Sequence, residues 1–522
     1  MTLEYRVYGP PGTGKTTWLA KKATEMASEF GSDQISICSL TRAAVREVVG
    51  RDLDIPDGNI TTLHARCKRA LHAESPAEDM VRDFAREHPE YSTEDCLPPG
   101  LVRGLNTKSE DDEVSIAGKG LTMYEKANIL RQQLVPRERW PTPVAIWLGV
   151  WEEWCQSEDT LDFTGWLESC RSRPEVLPQQ EVLFVDEAQD HTPLQLEVIR
   201  AWGVGHRFLI GDDDQNLYEW SGAVPQRFLN YEIPSSQEMV LSQSYRVPNA
   251  VHRVATKWIS QVRFRKAKDY RPRDHEGEVV HSGYRIADAQ HGMLPDGIER
   301  PGRSVMILTS CGYMLQGLIA TMRLEGIPFH NPYRRSDAKW NPLSGAMLTL
   351  RSLVIGDRDW TGHEVKRWAT ALAEHKAFRV KKKTFLEEAK LYASSAFPTA
   401  MIEESLKPDA YAMVMAQDPV VFERMRPIGV TGVVDWGYAM RVVSKYGIDV
   451  EPWVTIGTIH SVKGGEADEV ILFPDLSPDG FSEYITHDRR DRVLRLFYVG
   501  MTRAKDRLVL CDVSSRNAVD WI

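Results

Sequence analysis

Leu3-Glu4-Tyr5-Arg6-Val7-Tyr8 runs straight into Gly9-Pro10-Pro11-Gly12-Thr13-Gly14-Lys15-Thr16-Thr17-Trp18-Leu19-Ala20, and this stretch decides the fold. The first six residues alternate as a strand does, and the small residues after them make a turn that opens a helix. Residues 9–16 fit G-x-x-x-x-G-K-T, in which backbone N–H groups wrap phosphate oxygens and the helix behind points its positive end at them. The candidate nucleotide contacts are therefore Gly9, Pro10, Pro11, Gly12, Thr13, Gly14, Lys15, Thr16 and Thr17. Lys15 is placed to reach the β and γ phosphates, and Thr16 to hold Mg²⁺.

Such a loop needs a partner that supplies carboxylates, and Val182-Leu183-Phe184-Val185-Asp186-Glu187 is that partner. A fully apolar strand delivers two adjacent acids at its C-terminal end, where parallel sheets bind their ligands. Asp186 is expected to complete the Mg²⁺ shell, and Glu187 to orient or deprotonate an attacking water.

Further β-rich runs occur at residues 35–40, 208–210, 305–308, 454–456, 470–473 and 508–510, with helix-patterned segments between most of them. The alternation predicts parallel sheets covered by helices, and so many strands predict two such sheets. Residues 67–180 and 335–452 break the alternation and read as mainly helical insertions, the second with helices over 362–373 and 384–392. Trp147, Trp151 and Trp154 form one stripe of a helix and are expected in a core. Two basic runs, Arg263, Arg265, Lys266 and Lys268, and Arg379, Lys381, Lys382 and Lys383, fit either a solvated face or a contact to DNA phosphates.

Composition bounds the rest. The 522 residues suffice for three or four domains, and 42% apolar with 26% charged residues excludes wholesale disorder. A net charge of −10 excludes a histone-like electrostatic binder, so any nucleic acid must sit in a local basic channel. Seven scattered cysteines without a C-x-x-C pair signal neither a zinc ribbon nor an iron–sulfur cluster and suit a reducing compartment. No apolar stretch reaches the roughly 20 residues that span a bilayer, and the chain opens on a strand pattern instead of a signal peptide. The expectation is an intracellular protein, cytoplasmic and of bacterial or phage type, with no membrane partner.

Further blocks follow in a fixed order. Residues 37–48 resemble motif Ia, and Ile60-Thr61-Thr62-Leu63-His64-Ala65 resembles T-F-H-S. Leu161-Asp162-Phe163 is an L-D-F, Gly211-Asp212-Asp213-Asp214-Gln215-Asn216-Leu217-Tyr218-Glu219-Trp220 is close to G-D-x-D-Q-S-I-Y-x-W, and Leu241-Ser242-Gln243-Ser244-Tyr245-Arg246 to L-x-x-N-Y-R. Thr458-Ile459-His460-Ser461-Val462-Lys463-Gly464-Gly465-Glu466 matches T-x-H-x-x-K-G-x-E, and Tyr498-Val499-Gly500-Met501-Thr502-Arg503-Ala504 matches Y-V-x-x-T-R-A. In their order the blocks resemble those of superfamily 1 helicases of the UvrD, Rep and PcrA type.

The resemblance implies an α/β fold of two RecA-like motor domains, each carrying a helical insertion. The first motor domain takes residues 1–66 and 181–240 with its insertion at 67–180; the second takes 241–334 and 453–522 with its insertion at 335–452. It implies ATP and Mg²⁺ as cofactors, Gln215 sensing the γ-phosphate, Tyr245 stacking on the base and Glu466 holding the ribose. Arg246 and Arg503, fixed planar cations, are the candidate arginine fingers. Tyr218 and Trp220 are the expected base-stacking platforms, and Leu40, Thr62, His64, Thr458 and His460 the other strand contacts. The implied function is an ATP-dependent 3′ to 5′ single-stranded DNA translocase and helicase acting at single-strand/duplex junctions. It would work as a monomer or weakly self-associated chain with accessory repair or replication proteins. Two alternatives stay open: a translocase that strips proteins from single strands, and a nucleotide-gated DNA-binding module of a larger repair, recombination or replication complex.

Five departures carry expectations of their own. Only eight residues precede Gly9, leaving no upstream glutamine to read the adenine edge, so GTP is expected to be tolerated. Ser221 stands where the family often has arginine, and Leu40 replaces an aromatic. Twelve residues follow Leu510, so any nuclease is expected on another subunit. The second insertion reads as small, which leaves efficient unwinding by this chain alone undecided.

Overall fold

The computed structural model describes residues 2–40, 53–98, 101, 121–229, 233–334, 340–425 and 435–521. Residues 41–48 of the motif Ia stretch lie outside the described residues.

β1 (Leu3–Tyr8), β2 (Ile35–Ser39), β3 (Ile60–Thr62), β4 (Val182–Val185), β5 (His206–Gly211) and β6 (Glu238–Val240) form a sheet in the order β3-β2-β4-β5-β1-β6, every pairing parallel. Strand alternation feeds two cores. Val7, Ile35, Ile37, Val182, Phe184, Phe208 and Ile210 fill one face, and Tyr8, Cys38, Leu183, Val185 and Leu209 the other. The helix α1 (Lys15–Phe30) covers the first face with Leu19, Ala23 and Met26, which recur at helical spacing. Helices Leu63–Ala70, Phe163–Ser172 and Pro193–Ala201 cover the second with Cys67, Leu167 and Leu194 among others. Burial on both faces is why β2 and β4 read as continuous apolar runs; each large apolar side chain so buried contributes ~1.5–3 kcal/mol.

The segment after β3 is helical, as its sequence predicts. Trp147, Trp151 and Trp154 lie buried on the helix Thr142–Ser157 together with Phe84 and Tyr124. Beneath them Asp162 caps the helix Phe163–Ser172, accepting from Gly165 N at 2.6 Å, from Arg131 Nη2 at 3.0 Å and from Trp151 Nε1 at 3.0 Å. Asp162 of the L-D-F block is thus a buried helix cap tied to an arginine, between the exposed side chains of Leu161 and Phe163.

β7 (Gln243–Pro248) pairs with β8 (Arg271–Arg273) as a two-stranded parallel ribbon. β9 (Glu278–Ser282), β10 (Val305–Thr309), β11 (Phe329–His330), β12 (Val454–Thr458), β13 (Ala467–Leu472) and β14 (Ala504–Cys511) make a second six-stranded sheet, in the order β11-β12-β10-β13-β14-β9. Each β-rich run expected from the sequence is a strand in one of the two large sheets.

The chain divides into two compact units. The first comprises Met1–Ser282, Leu308–Gly312 and Thr458–Ile522; the second comprises Gly283–Ile307 and Tyr313–Gly457. The second unit is mainly helical, with helices at Ser344–Leu353, Gly362–Thr370, Lys382–Leu391, Thr399–Ser405, Pro408–Met415 and Trp436–Tyr446. In the basic run 379–383, Lys382 Nζ donates to Thr370 O and Leu372 O, both at 2.6 Å, closing the end of the helix before it. Among the described residues no helix is long and apolar enough to cross a membrane, and all seven cysteines are free thiols.

Candidate functional site

All the chemistry-bearing blocks outside the two helical insertions fall in the first unit. Their assembly begins at the end of β1. Gly12 (φ 74°) and Gly14 (φ 77°) take left-handed backbone conformations, which explains why the loop needs glycine at both positions. Thr13 Oγ1 donates to Pro10 O at 2.8 Å, and Lys15 Nζ reaches back to Gly9 O at 2.9 Å. β7 lies directly on this loop: Tyr245 N donates to Gly12 O at 2.8 Å and Ser244 Oγ to Pro11 O at 2.9 Å. Tyr270 OH makes a second bond to Pro11 O at 3.0 Å. The ribbon therefore holds Tyr245 and Arg246 beside the loop, with the Tyr245 side chain 73% exposed and open to a stacking partner.

The carboxylates arrive from β4. Asp186 is buried, its N–H bonded to Cys38 O at 2.9 Å, and Glu187 follows in a left-handed conformation (φ 50°), strained for a non-glycine residue. Lys463 Nζ donates to Asp190 and, at 3.2 Å, to Gln215 O; it lies 3.8 Å from Glu187 Oε2 and 5.3 Å from the Tyr218 ring centre. Burial pushes the Glu187 carboxyl up, but Lys463 and Lys15 outweigh it and hold it down to about 2. Glu187 is thus held as an anion throughout the physiological range. Burial, against the pull of Lys463, pushes Asp190 up to about 6.

Gln215 joins the loop to the C-terminal blocks. Its Nε2 donates to Asp212 Oδ2 at 2.7 Å and to Gly9 O at 3.5 Å, and its Oε1 accepts from Arg503 Nη2 at 3.4 Å. Arg503 is 2% exposed and fixed from behind by Val499 O and Gly465 O. Arg246 Nε donates to Glu466 Oε2 at 2.7 Å. Gln215 and Glu187 are held by Asp212 and Lys463, Lys15 by Gly9 O, and Arg246 by Glu466.

The expected strand contacts divide into buried and accessible groups. Thr62 caps the helix Leu63–Ala70 by accepting from Ala65 N at 3.3 Å, and Thr458 accepts from Ser461 N at 3.2 Å. Tyr218 is 9% exposed, whereas Trp220, Leu40, His64 and His460 are half-buried. His64 meets the Phe163 ring edge-on at 6.2 Å. Burial pushes both His64 and His460 down to about 4, so neither imidazole is charged at neutral pH.

For Mg²⁺, Thr16 and Asp186 offer hydroxyl and carboxylate oxygens, the hard donors that this ion takes, so the residues present fit it. Bound with a triphosphate, the ion would neutralise phosphate charge. A different carboxylate cluster, Asp212, Asp213 and Asp214, brings its oxygens within 4.8 Å of one another. That cluster already holds a cation from within the chain: Lys268 Nζ sits at 2.6 Å from Asp212, 2.5 Å from Asp213 and 2.9 Å from Asp214. The basic run 263–268 is therefore neither a solvated face nor a row of free DNA contacts. Lys268 is 2% exposed, Arg265 is paired with Asp214, and Lys266 with Glu238.

Two family descriptions match this chain: the UvrD/REP helicase N-terminal domain over residues 2–234 and the UvrD-like helicase C-terminal domain over residues 441–515. The chain belongs to the UvrD-like helicases. A probable DNA helicase II homolog of Mycoplasma pneumoniae is 24% identical over 306 residues, covering 52% of this chain and 41% of that protein. DNA helicase II of Escherichia coli is 27% identical over 296 residues, covering 52% and 40%. ATP-dependent DNA helicase PcrA of Staphylococcus aureus is 22% identical over 291 residues, again 52% and 40%. The matched part of this UvrD-like chain thus spans less than half the length of each of these relatives.

Sequence reasoning gave Asp190 and Lys463 no role and read Lys268 only as part of a basic run. Asp190 stands three residues after Glu187 and Lys463 inside the block that ends at Glu466, and that spacing was the available signal. Lys268 has no such signal, because it sits in an irregular polar segment.

Proposed function

We propose that this chain is an ATP-dependent DNA helicase that couples hydrolysis to 3′ to 5′ stepping along single-stranded DNA. The observation that carries the proposal is the Gln215 amide, bonded at once toward the phosphate loop through Gly9 O and toward the C-terminal blocks through Arg503. Its motif block also carries Tyr218 and Trp220, so one short segment joins γ-phosphate sensing to base contact. In this reading Lys15 and Arg246 neutralise the β and γ phosphates, Glu187 orients the attacking water, and Arg503 stabilises charge developing on the transferred phosphoryl. Thr16 and Asp186 hold Mg²⁺, Tyr245 stacks on the base, and Glu466 takes the ribose. Loss of the γ-phosphate then releases a grip shared by elements that carry the strand contacts. The two sheets are read as the two motor domains, and each helical segment as an insertion in one of them. Junction DNA and accessory repair or replication proteins are the expected partners, in an intracellular setting.

The test is the ATPase rate with and without single-stranded DNA, for the wild-type chain, Lys15→Ala and Glu187→Gln, followed by strand separation from 3′ or 5′ tails. Stimulation lost in both variants, with unwinding only from a 3′ tail, supports the reading. DNA binding without stimulated hydrolysis overturns it in favour of a nucleotide-gated module, and displacement of a bound protein without duplex opening in favour of a stripping translocase.

A further inference from the structure

Three aspartates in a row, each at most 1% exposed, are an unusual thing to bury. A carboxylate taken out of water needs a cation or several donors, and three of them side by side also repel one another. The segment after the helix Asn249–Ile259 supplies what they need. Lys268 Nζ reaches all three, Arg265 clamps Asp214 with Nε at 2.9 Å and Nη2 at 2.6 Å, and the Lys266 N–H caps Asp213 Oδ2 at 2.9 Å. A compact ammonium fans its three donors out in three dimensions toward three carboxylates, whereas a guanidinium keeps its donors in one plane.

The consequence reaches Gln215. Lys268 takes Asp212 Oδ1 at 2.6 Å, which leaves Oδ2 as the acceptor for Gln215 Nε2 at 2.7 Å. With its N–H₂ end held there, the amide presents Oε1 toward Arg503. Asp212 N is itself fixed by Gln189 Oε1 at 2.9 Å, so the aspartate has no freedom to follow the glutamine elsewhere. The same strap continues to Tyr270, whose hydroxyl bonds Pro11 O of the phosphate loop at 3.0 Å.

We propose that Lys268 is a positioning residue for the γ-phosphate sensor, acting through Asp212 to fix which end of the Gln215 amide faces the phosphate loop and which faces Arg503. The proposal rests on the reading of Gln215 given above. Lys268 touches no substrate in this scheme; it sets the orientation of a side chain that does.

The test separates positioning from simple charge balance. Lys268→Met leaves one cation for three buried carboxylates and is expected to melt early. In Lys268→Met combined with Asp213→Asn, one cation faces two carboxylates, so the imbalance of the wild-type cluster, two cations for three, is kept at one unit. This double variant, with the wild-type imbalance, is expected to melt closer to the wild type than Lys268→Met does. Its affinities for a non-hydrolysable ATP analogue and for ADP are compared with those of Asp213→Asn, Gln215→Ala and the triple variant, alongside kcat and KM for strand-stimulated ATP hydrolysis. The expected result is a preference for triphosphate over diphosphate reduced about tenfold, a fall in kcat with KM for ATP changed less, and no added loss when Gln215→Ala is included. Lys268→Arg is expected not to rescue. A double variant with the triphosphate preference and kcat of Asp213→Asn overturns the proposal and leaves Lys268 as charge balance. Additive losses with Gln215→Ala overturn it as well. A wild-type chain with no triphosphate preference overturns the γ-phosphate reading itself, a failure visible before any variant is made.

Discussion

Arg246 Nε donates to Glu466 Oε2 at 2.7 Å, joining the side chain read as a phosphate contact to the one read as the ribose contact. The Glu466 side chain is 45% exposed and that of Arg246 17%, so the pair contributes only ~0–1 kcal/mol and yields easily to a nucleotide that offers each a better partner. Glu466→Gln should therefore leave the melting temperature nearly unchanged and raise KM for ATP by about threefold to tenfold. Arg246→Ala should instead lower kcat by about a hundredfold or more, as expected for a contact that strengthens in the transition state. Steady-state kinetics with a thermal melt on the same samples checks both. An early melt of Glu466→Gln would show the pair to be structural.

Gly12 carries a second prediction. A Cβ placed there would lie 2.5 Å from Arg246 Cβ and 2.7 Å from Ser244 Oγ, on a backbone at φ 74° that a side chain strains. Gly12→Ala should push β7 off the loop, abolishing strand-stimulated hydrolysis while the circular dichroism spectrum stays that of the wild type. Nucleotide-binding titrations would show affinity reduced by about tenfold or more.

Lys463 predicts a pH effect. Burial alone would raise the Glu187 carboxyl, and Lys463 is the largest of the opposing influences that hold it down. Lys463→Met should let burial prevail, so Glu187 takes up its proton at a higher pH. The ATPase profile should then gain an acid limb that the wild type lacks, with the rate falling as pH drops toward the weakly acid range. A pH–kcat series on the two proteins decides it, and identical profiles would sink the idea.

Glu78 predicts a stability effect in the opposite direction. It is buried beside Asp162 under Tyr124 OH, which donates to it at 2.6 Å, and burial first and the Asp162 charge second push it up to about 7. A carboxyl whose folded pKa is raised binds its proton more tightly in the folded chain. That contribution is complete below its ordinary 4.5 and is lost as pH rises through about 7. Between about pH 5 and 8 the wild-type chain should lose on the order of 1–3 kcal/mol that Glu78→Gln retains. Urea unfolding at several pH values measures it.

The legible parts of the site were those where backbone geometry or strand burial restricts the residue. Gly12 and Gly14 stand at positive φ, which glycine alone adopts without strain, and Asp186 and Glu187 follow four residues buried on both faces of a parallel sheet. The Trp147, Trp151 and Trp154 stripe was legible because helical spacing reports a buried face directly. Lys268 was not, since the segment joining the helix Asn249–Ile259 to β8 has no period and a lysine there reads as solvated. Only the fold brings it to three aspartates more than fifty residues earlier in the chain. Thr62 and Thr458, strand contacts by family resemblance, also accept a bond from the backbone of the next turn, which no spacing in the sequence announced.

β14 lies alongside β9 in parallel register, Leu508 opposite Val279 and Leu510 opposite His281, although more than two hundred residues separate them. During synthesis, then, the first unit stays unfinished until the ribosome has delivered the last strand. Lys463, Glu466 and Arg503 all arrive in that final stretch. The phosphate loop is made more than four hundred residues before Lys463, Glu466 and Arg503, the groups that surround it. A chain stopped early would carry a nucleotide loop without its arginine and lysine partners, together with exposed strand edges.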